Sequence, residues 1–151
     1  MGVHTPAEMI PVTIRSARAE DRDDLARLFD ELGYPQAADG LESRLEAVLD
    51  DPRAGVLVAD DAGALVGATT FFFVPVAHEV GAWCRITTLL VDEAYRGRGI
   101  GRMLVGAAES AARDASCSRI EATSALHRSG AHRFYASLGY DQTSAHFLKR
   151  L

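Results

Sequence analysis

Leu89-Leu90-Val91-Asp92-Glu93-Ala94-Tyr95-Arg96-Gly97-Arg98-Gly99-Ile100-Gly101-Arg102 runs out of an apolar stretch into a segment with helical spacing. Upstream, Val80 to Val91 is rich in β-formers and reads as a long strand. Downstream, Ile100, Met103, Leu104, Ala107, Ala108, Ala111, Ala112 and Ala115 recur at helical spacing, which predicts a helix from Arg98 to about Ser116. Its many alanines allow close packing on a sheet. Between strand and helix, Gly97, Gly99 and Gly101 stand at alternate positions, so backbone N–H groups in the turn can approach a ligand closely. A helix start has unsatisfied N–H groups and the positive end of a dipole. Arg96, Arg98 and Arg102 add guanidinium donors, with no acid after them until Glu109. That combination favours an anion, and a pyrophosphate is the natural fit. The dinucleotide fingerprint needs a glycine where Arg102 stands, and the nucleotide P-loop needs a Gly-Lys-Ser/Thr that is missing. A tight turn with solvated arginines is the other reading that composition leaves open.

Working outward from this turn, Ile10 to Ala17 reads as a first strand, and Glu20 to Leu32 as a helix with an acidic first turn and an apolar stripe of Leu25, Leu28, Phe29 and Leu32. Gly33-Tyr34-Pro35 reads as a turn. Asp39 is a candidate cap for a second helix running to Leu49. Gly55 to Ala59 is a short strand, Asp60-Asp61-Ala62-Gly63 a turn, and Ala64 to Val76 a long strand with Pro75 at a bulge or an edge. Arg119 to Thr123 reads as a strand and Ser129 to Leu138 as a helix. Two closing strands are expected around Gly139-Tyr140 and over Ala145 to Leu151. The order predicts an α/β (α+β) fold, a mixed sheet of six to seven strands with about four helices on both faces. Tight turns make the middle strands antiparallel, and the crossover from Thr87 to Thr123 is the parallel step.

The chain of 151 residues has the length of one domain, with 48% hydrophobic and 25% charged residues. Residues 1–9 read as a flexible lead-in and 10–151 as a single domain. A formal net charge of −5 argues against a nucleic-acid partner, and no stretch has the length of apolar sequence that a membrane helix needs. Cys84 and Cys117 have neither metal nor redox spacing, which fits a reducing cytoplasm. His4, His78, His127, His132 and His146 contain no i, i+4 pair, so no metal is expected.

The segment from Leu89 to Gly101, with Arg96-x-x-Gly99-x-Gly101 at its centre, resembles the coenzyme A signature of the GCN5-related N-acetyltransferases (GNAT). Ala131-x-x-Phe134-Tyr135-x-x-Leu138-Gly139-Tyr140 is similar to that superfamily's second signature, and Gly63-x-Leu65-Val66-Gly67 to its middle hairpin. The resemblance spans roughly Val12 to Leu151. The last part, from Arg128 onward with Ala131-His132-Arg133-Phe134-Tyr135 and Phe147-x-Lys149-x-Leu151, resembles the aminoalkylphosphonate N-acetyltransferase branch.

The resemblance implies a sheet whose fourth and fifth strands splay apart, with acetyl-CoA as co-substrate and its acetyl-pantetheine arm in the gap. Leu89, Leu90 and Val91 would pair with the arm, and the N–H of Val91 would polarise the thioester carbonyl. The pyrophosphate would rest on the segment Arg96, Gly97, Arg98, Gly99, Ile100, Gly101 and Arg102. Tyr135 would protonate the departing thiolate and touch the coenzyme. Arg128 stands where relatives often have a coenzyme-binding Asn, and either binds phosphate or faces solvent. Many relatives carry a Glu base on the strand that here reads Arg85-Ile86-Thr87-Thr88, so His78 and Glu79 become the candidate bases, beside a water chain or an amine that arrives neutral. Tyr34, Phe73 and Thr87 fall on the acceptor side.

The implied activity is transfer of an acetyl group from acetyl-CoA to a primary amine of a small molecule. Acetylation of a peptide N-terminus or lysine, or a CoA-binding regulatory module without turnover, are the alternatives. Dimers are common in such folds, and the last strands and Val80 to Cys84 could pair in a homodimer.

Overall fold

The computed structural model describes residues 11–31, 40–123 and 129–151. Strand β1, Thr13–Ser16, leads through a 3-10 turn at Ala19–Asp21 into helix α1, Arg22–Glu31. Asp21 fixes this entry. It is buried, accepts the backbone N–H of Arg18 at 2.8 Å, and takes both terminal nitrogens of Arg15 at 2.7 and 2.9 Å. Arg15 also donates its Nε to Asp60 at 3.0 Å. Helix α2, Leu41–Asp50, follows Gly40, whose φ of 70° is open to glycine at little cost. The expected cap Asp39 and the Gly33-Tyr34-Pro35 turn lie outside the described residues.

Strands β2, Ala54–Asp61, and β3, Ala64–Pro75, form a hairpin through Ala62-Gly63, both at positive φ as a type I′ turn requires. The Asp60 carboxylate accepts the N–H of Gly63 at 2.7 Å and locks the turn. Then come β4, Ala82–Val91; a 3-10 turn at Glu93–Tyr95; α3, Ile100–Asp114; β5, Cys117–Ala122; and α4, Ser129–Ser137. The sheet order is β1-β2-β3-β4-β5, antiparallel except for the parallel β4–β5 pair.

Two cores cover the two faces. On one, Leu25, Leu28 and Leu45 from α1 and α2 pack on Val56, Val58, Leu65 and Ala68. On the other, Ile100 and Leu104 meet Ala59 and Val66, while Val105, Ala108 and Ala112 meet Phe71, Cys84 and Ile86. Each fully buried leucine contributes about 1.5–3 kcal/mol of transfer free energy, so this alternation of faces holds the layers together. Among the described residues, no helix is long and apolar enough to cross a membrane.

The expectation of six to seven strands is corrected to five among the described residues. Helix α4 closes with Gly139 at φ 87° and the Tyr140 N–H bonded back to the Tyr135 carbonyl, a left-handed cap. Residues 141–151 beyond it are exposed and form no strand. The alternation Phe147-x-Lys149-x-Leu151 marks a segment able to pair, but a strand also needs a neighbouring edge in register.

The ladder between β4 and its neighbours is uneven. On the β3 side it runs from Pro75↔Ala82 to Gly67↔Val91, with Thr70 opposite Thr88 and Phe71 opposite Ile86. Thr87 is therefore an extra residue, a β-bulge. On the β5 side the ladder runs only from Ala82↔Cys117 to Ile86↔Ala122. The two strands separate at the bulge.

Candidate active site

Past the bulge, the second half of β4 is paired on one side only, and its open groups can be identified. The Asp92 N–H bonds the Val66 carbonyl of β3 at 2.8 Å. Backbone groups alternate sides along a strand, so Leu90 also points to β3, whereas Leu89 and Val91 point toward the gap beside β5. The Val91 carbonyl is reached from that side by the Arg96 Nε at 3.4 Å. A row of threonines holds the bulge. The Thr70 hydroxyl lies 2.6 Å from both the Thr87 and Thr88 hydroxyls, Thr87 donates to the Thr70 carbonyl at 3.2 Å, and Thr69 donates to the Thr88 carbonyl at 2.9 Å. Sequence reading placed Thr87 on the acceptor side but passed over Thr69, Thr70 and Thr88, because threonine is an ordinary β-former; two facing Thr-Thr pairs were the available signal.

The gap opens toward the start of α3. Gly97 and Gly99 have φ of 78° and 80°, the left-handed region that side chains resist. Gly99 is the N-cap and makes no side-chain cap bond, and the first turn has no acid. The first intrahelical bond is from the Met103 N–H to the Gly99 carbonyl at 3.0 Å, so the N–H groups of Ile100, Gly101 and Arg102 point out of the helix unused by it. Gly101 owes its identity to packing as well. A Cβ there would stand 3.2 Å from the Phe134 ring of α4 and 3.9 Å from Val91 Cγ2.

Three features steady the arginines around this turn. Arg98 lies over the Tyr95 ring at 4.9 Å, the Tyr95 hydroxyl donates to Asp61 at 2.6 Å, and Arg96 also faces Glu93 at 3.8 Å. Arg102 lines a cavity of about 210 Å3 between α3 and α4, with Gly106, Glu109 and Ser137. One helix start thus presents free amides and guanidinium groups together, an arrangement suited to a polyphosphate.

Tyr135 comes from α4 and packs against the cluster of Phe71, Cys84 and Ile86, which Leu89 also joins. Its ring meets Phe134 and Tyr140 edge-on, at 5.2 and 5.4 Å. Burial raises its phenol above the ordinary value of 10.0, so it holds its proton at neutral pH. Tyr140 differs: it donates to Glu109 at 3.0 Å, and burial with that carboxylate pushes its phenol higher still. Among the described residues, the Tyr135 hydroxyl makes no hydrogen bond.

Thr87 and Phe73, both expected on the acceptor side, line a second cavity of about 320 Å3 with Arg53, Phe72, Pro75 and Arg85. Phe72 stands directly opposite Ala54 on one side and Arg85 on the other, and Arg85 opposite Glu121. This row shares the face of Val56 and hence of α1 and α2.

Glu79 and His78 are placed elsewhere. Glu79 accepts the Trp83 Nε1–H at 3.0 Å and bonds Arg119, whose guanidinium stacks on Trp83 at 4.1 Å. Hydrogen bonds from Trp83 and then Arg119 hold its carboxyl below the usual range, the wrong direction for a base. His78 is exposed and sits edge-on to Trp83 at 5.5 Å. Trp83 is the second residue of β4, roughly 20 Å along the strand from Leu89 at ~3.3 Å per residue. Cys84 is fully buried and its thiol is pushed up to about 12, so it packs and does not attack. Tyr34 and Arg128 lie outside the described residues.

Residues 19–140 match the model of the acetyltransferase (GNAT) family. The chain is 31% identical over 150 residues to the aminoalkylphosphonate N-acetyltransferase of Salmonella typhimurium, covering 95% of each. Among solved structures it superposes on a putative acetyltransferase from Agrobacterium tumefaciens with a TM-score of 0.84 and 28% identity, over 92% of this chain and 99% of that one. It also shares its fold with AAC(6')-Iy in complex with the bisubstrate analog CoA-S-monomethyl-acetylneamine, at TM-score 0.85 and 14% identity, over 93% and 98%.

Proposed function

The chain belongs to the acetyltransferase (GNAT) family, and on that premise we propose that it moves an acetyl group from acetyl-CoA to the primary amine of a small molecule by direct attack. The observation that carries the reading is the meeting of three features at one gap: the outward backbone groups of Leu89 and Val91, the uncapped start of α3, and Tyr135.

The free N–H groups of Ile100, Gly101 and Arg102, with Arg98 and Arg102, bind the diphosphate. Leu89 and Val91 pair with the extended arm as a strand would, and the Val91 N–H points at the thioester oxygen, stabilising the charge that develops there. The amine nitrogen attacks the thioester carbon, the C–N bond forms and the C–S bond breaks. The proton that nitrogen sheds and the proton that sulfur gains balance. Tyr135 supplies the second and recovers the first through water. With Glu79 tied to Trp83 and Arg119, the amine enters already neutral and needs no carboxylate. The cleft of about 320 Å3 supports a small acceptor, since pockets of roughly 300–1,000 Å3 are the small-molecule range. The Salmonella relative, named for aminoalkylphosphonates, points the same way.

Replacing Tyr135→Phe tests this. The turnover number should fall by about 10²–10⁴-fold, while calorimetry finds acetyl-CoA affinity within about threefold of wild type. An unchanged turnover rate overturns the acid role, and the absence of binding heat for acetyl-CoA to the folded wild-type protein overturns the acetyltransferase reading itself.

A further inference from the structure

Helices α3 and α4 pack on the same face of the sheet but are finished to different degrees. Helix α3 buries Ile100, Leu104, Val105, Ala108 and Ala112. Helix α4 presents Phe134 and Tyr135 to the core, followed by Leu138, yet each of them stays half-buried. So do Cys117, Ile120 and Ala122 of β5 in the same cluster. Among the described residues, neither α4 nor β5 has a fully buried side chain. Strand β5 is bonded to β4 on one edge, and among the described residues no strand pairs with its other edge. The sheet therefore ends in an open edge with an apolar flank beside α4.

The segment after α4 has the opposite shortage. Tyr140 is fixed, with its N–H on the Tyr135 carbonyl and its hydroxyl on Glu109 of α3. Residues 141–151 then run out exposed, without regular structure. Phe147 is 92% exposed, Leu148 67%, and Leu151 fully so. In an extended chain Ala145, Phe147 and Leu151 share one face. Among the described residues, the other exposed large apolar side chains are Met103 and Val80. Val80 precedes Gly81, where a Cβ would stand 2.9 Å from the Ser116 carbonyl oxygen at the start of β5. The edge thus lacks a strand and the segment lacks an edge. Both belong to one chain and do not meet within it.

We propose that two copies of this chain exchange these arms: residues 145–151 of each add as a strand to the open edge of β5 in the other, with Phe147 and Leu151 turned toward Ile120, Phe134 and Leu138. An unpaired edge is a template for another strand, and a twofold exchange fills both edges and leaves none over. At ~3.3 Å per residue, the extended segment from 141 to 151 reaches roughly 35 Å, far enough to cross to a neighbour. Among the described residues the arm makes no backbone hydrogen bond to its own chain, so exchange sacrifices none. Its alternation fixes which face turns inward, because a slip by one residue would put His146 and Arg150 against the apolar flank. The five strands of each chain are unchanged, and the added strand is the partner's. Tyr135 rides on α4, so the partner's arm also braces the helix that carries this phenol. The exchange holds whether or not the chain transfers acetyl groups.

Two measurements on the unmodified chain test this. Sedimentation equilibrium from about 1 to about 100 µM should give twice the chain mass of 16.2 kDa at the upper concentrations. In the same samples, the amides of residues 145–151 should exchange their hydrogens about 100-fold or more slowly than in a free peptide of that sequence. A monomer at the highest concentration overturns the proposal even if those amides are protected, because the arm has then folded onto its own edge. A dimer whose arm amides exchange freely overturns it as well, because its interface lies elsewhere. Phe147→Ser with Leu151→Ser should weaken the dimer about tenfold or more and speed exchange along the arm. Circular dichroism should keep the wild-type spectrum, since both side chains are exposed within one chain. A double variant that dimerises as tightly as the wild type overturns the proposal. None of these readouts involves acetyl-CoA, so failure of the acetyltransferase reading leaves them unaffected.

Discussion

The two halves of β4 are continuous in sequence and have opposite fates. From Ala82 to Ile86 the strand is bonded on both edges, to β3 and to β5, and Cys84 and Ile86 are sealed beneath α3. From Thr87 to Val91 it keeps β3 and loses β5, leaving the backbone of Leu89 and Val91 turned toward open space. The first half spends its hydrogen bonds on the fold. The second half holds some back for a visitor. What separates them is one inserted residue, Thr87, held by Thr70, whose hydroxyl meets both the Thr87 and the Thr88 hydroxyls. On the proposed reading a sheet becomes a binding site by being interrupted at one rung, and the rigid half keeps the interrupted half in place.

The contrast can be broken most severely by deleting Thr87. Without the extra residue, Thr88 would follow Ile86 in a regular ladder against Thr70 and Phe71, and the bend that parts β4 from β5 would be lost. Acetyl-CoA affinity should fall by about 100-fold or more, measured by calorimetry, with circular dichroism showing that the sheet survives. A smaller break lies at the loop downstream. Arg98→Ala with Arg102→Ala removes charge-assisted donors worth about 1.5–3 kcal/mol each at most, so affinity should drop roughly 10- to 100-fold with little change in the rate of bound substrate. Unchanged affinity would reject the polyphosphate cradle. The least effect belongs to the closed half. Glu79→Gln should leave kcat within about twofold, and the pH–rate profile should keep its shape, because that carboxyl is bound to Trp83 and Arg119 at the far end of the strand. Its lowered pKa stabilises the fold above the ordinary carboxylate range and ceases to do so as the pH falls through the lowered folded value. Any loss on acidification should therefore appear in unfolding curves and not in turnover near neutrality.

This contrast also marks where sequence reading succeeds. The turn into α3 was legible because its glycines and the helical spacing after them each carry a strong local signal, and α4, which carries Tyr135, because its residues follow a recognisable pattern. The hairpin at Ala62-Gly63 was legible for the same reason. The bulge was not, because nothing in Arg85-Ile86-Thr87-Thr88 distinguishes an extra residue from a paired one until the partner strand is laid beside it. Arg53 and Arg85 were missed as neighbours since 32 positions separate them and only the register across β3 brings them to one cleft. Glu79 was attractive for its proximity in sequence to β4, yet distance along an extended strand grows by ~3.3 Å per residue. The closing strands were over-read, since alternation in residues 145–151 describes an aptitude that needs an edge to become a strand.

Tyr95 gives the arginine turn an anchor beyond its own segment. Its hydroxyl is fastened to Asp61 at the hairpin tip, and its ring is the bench on which Arg98 lies. A carboxylate 37 positions upstream therefore steers a guanidinium through an intervening phenol. On the proposed reading, coenzyme handling is answerable to a surface turn, and drift at that turn would retune the grip without altering a single residue of the loop assigned to it.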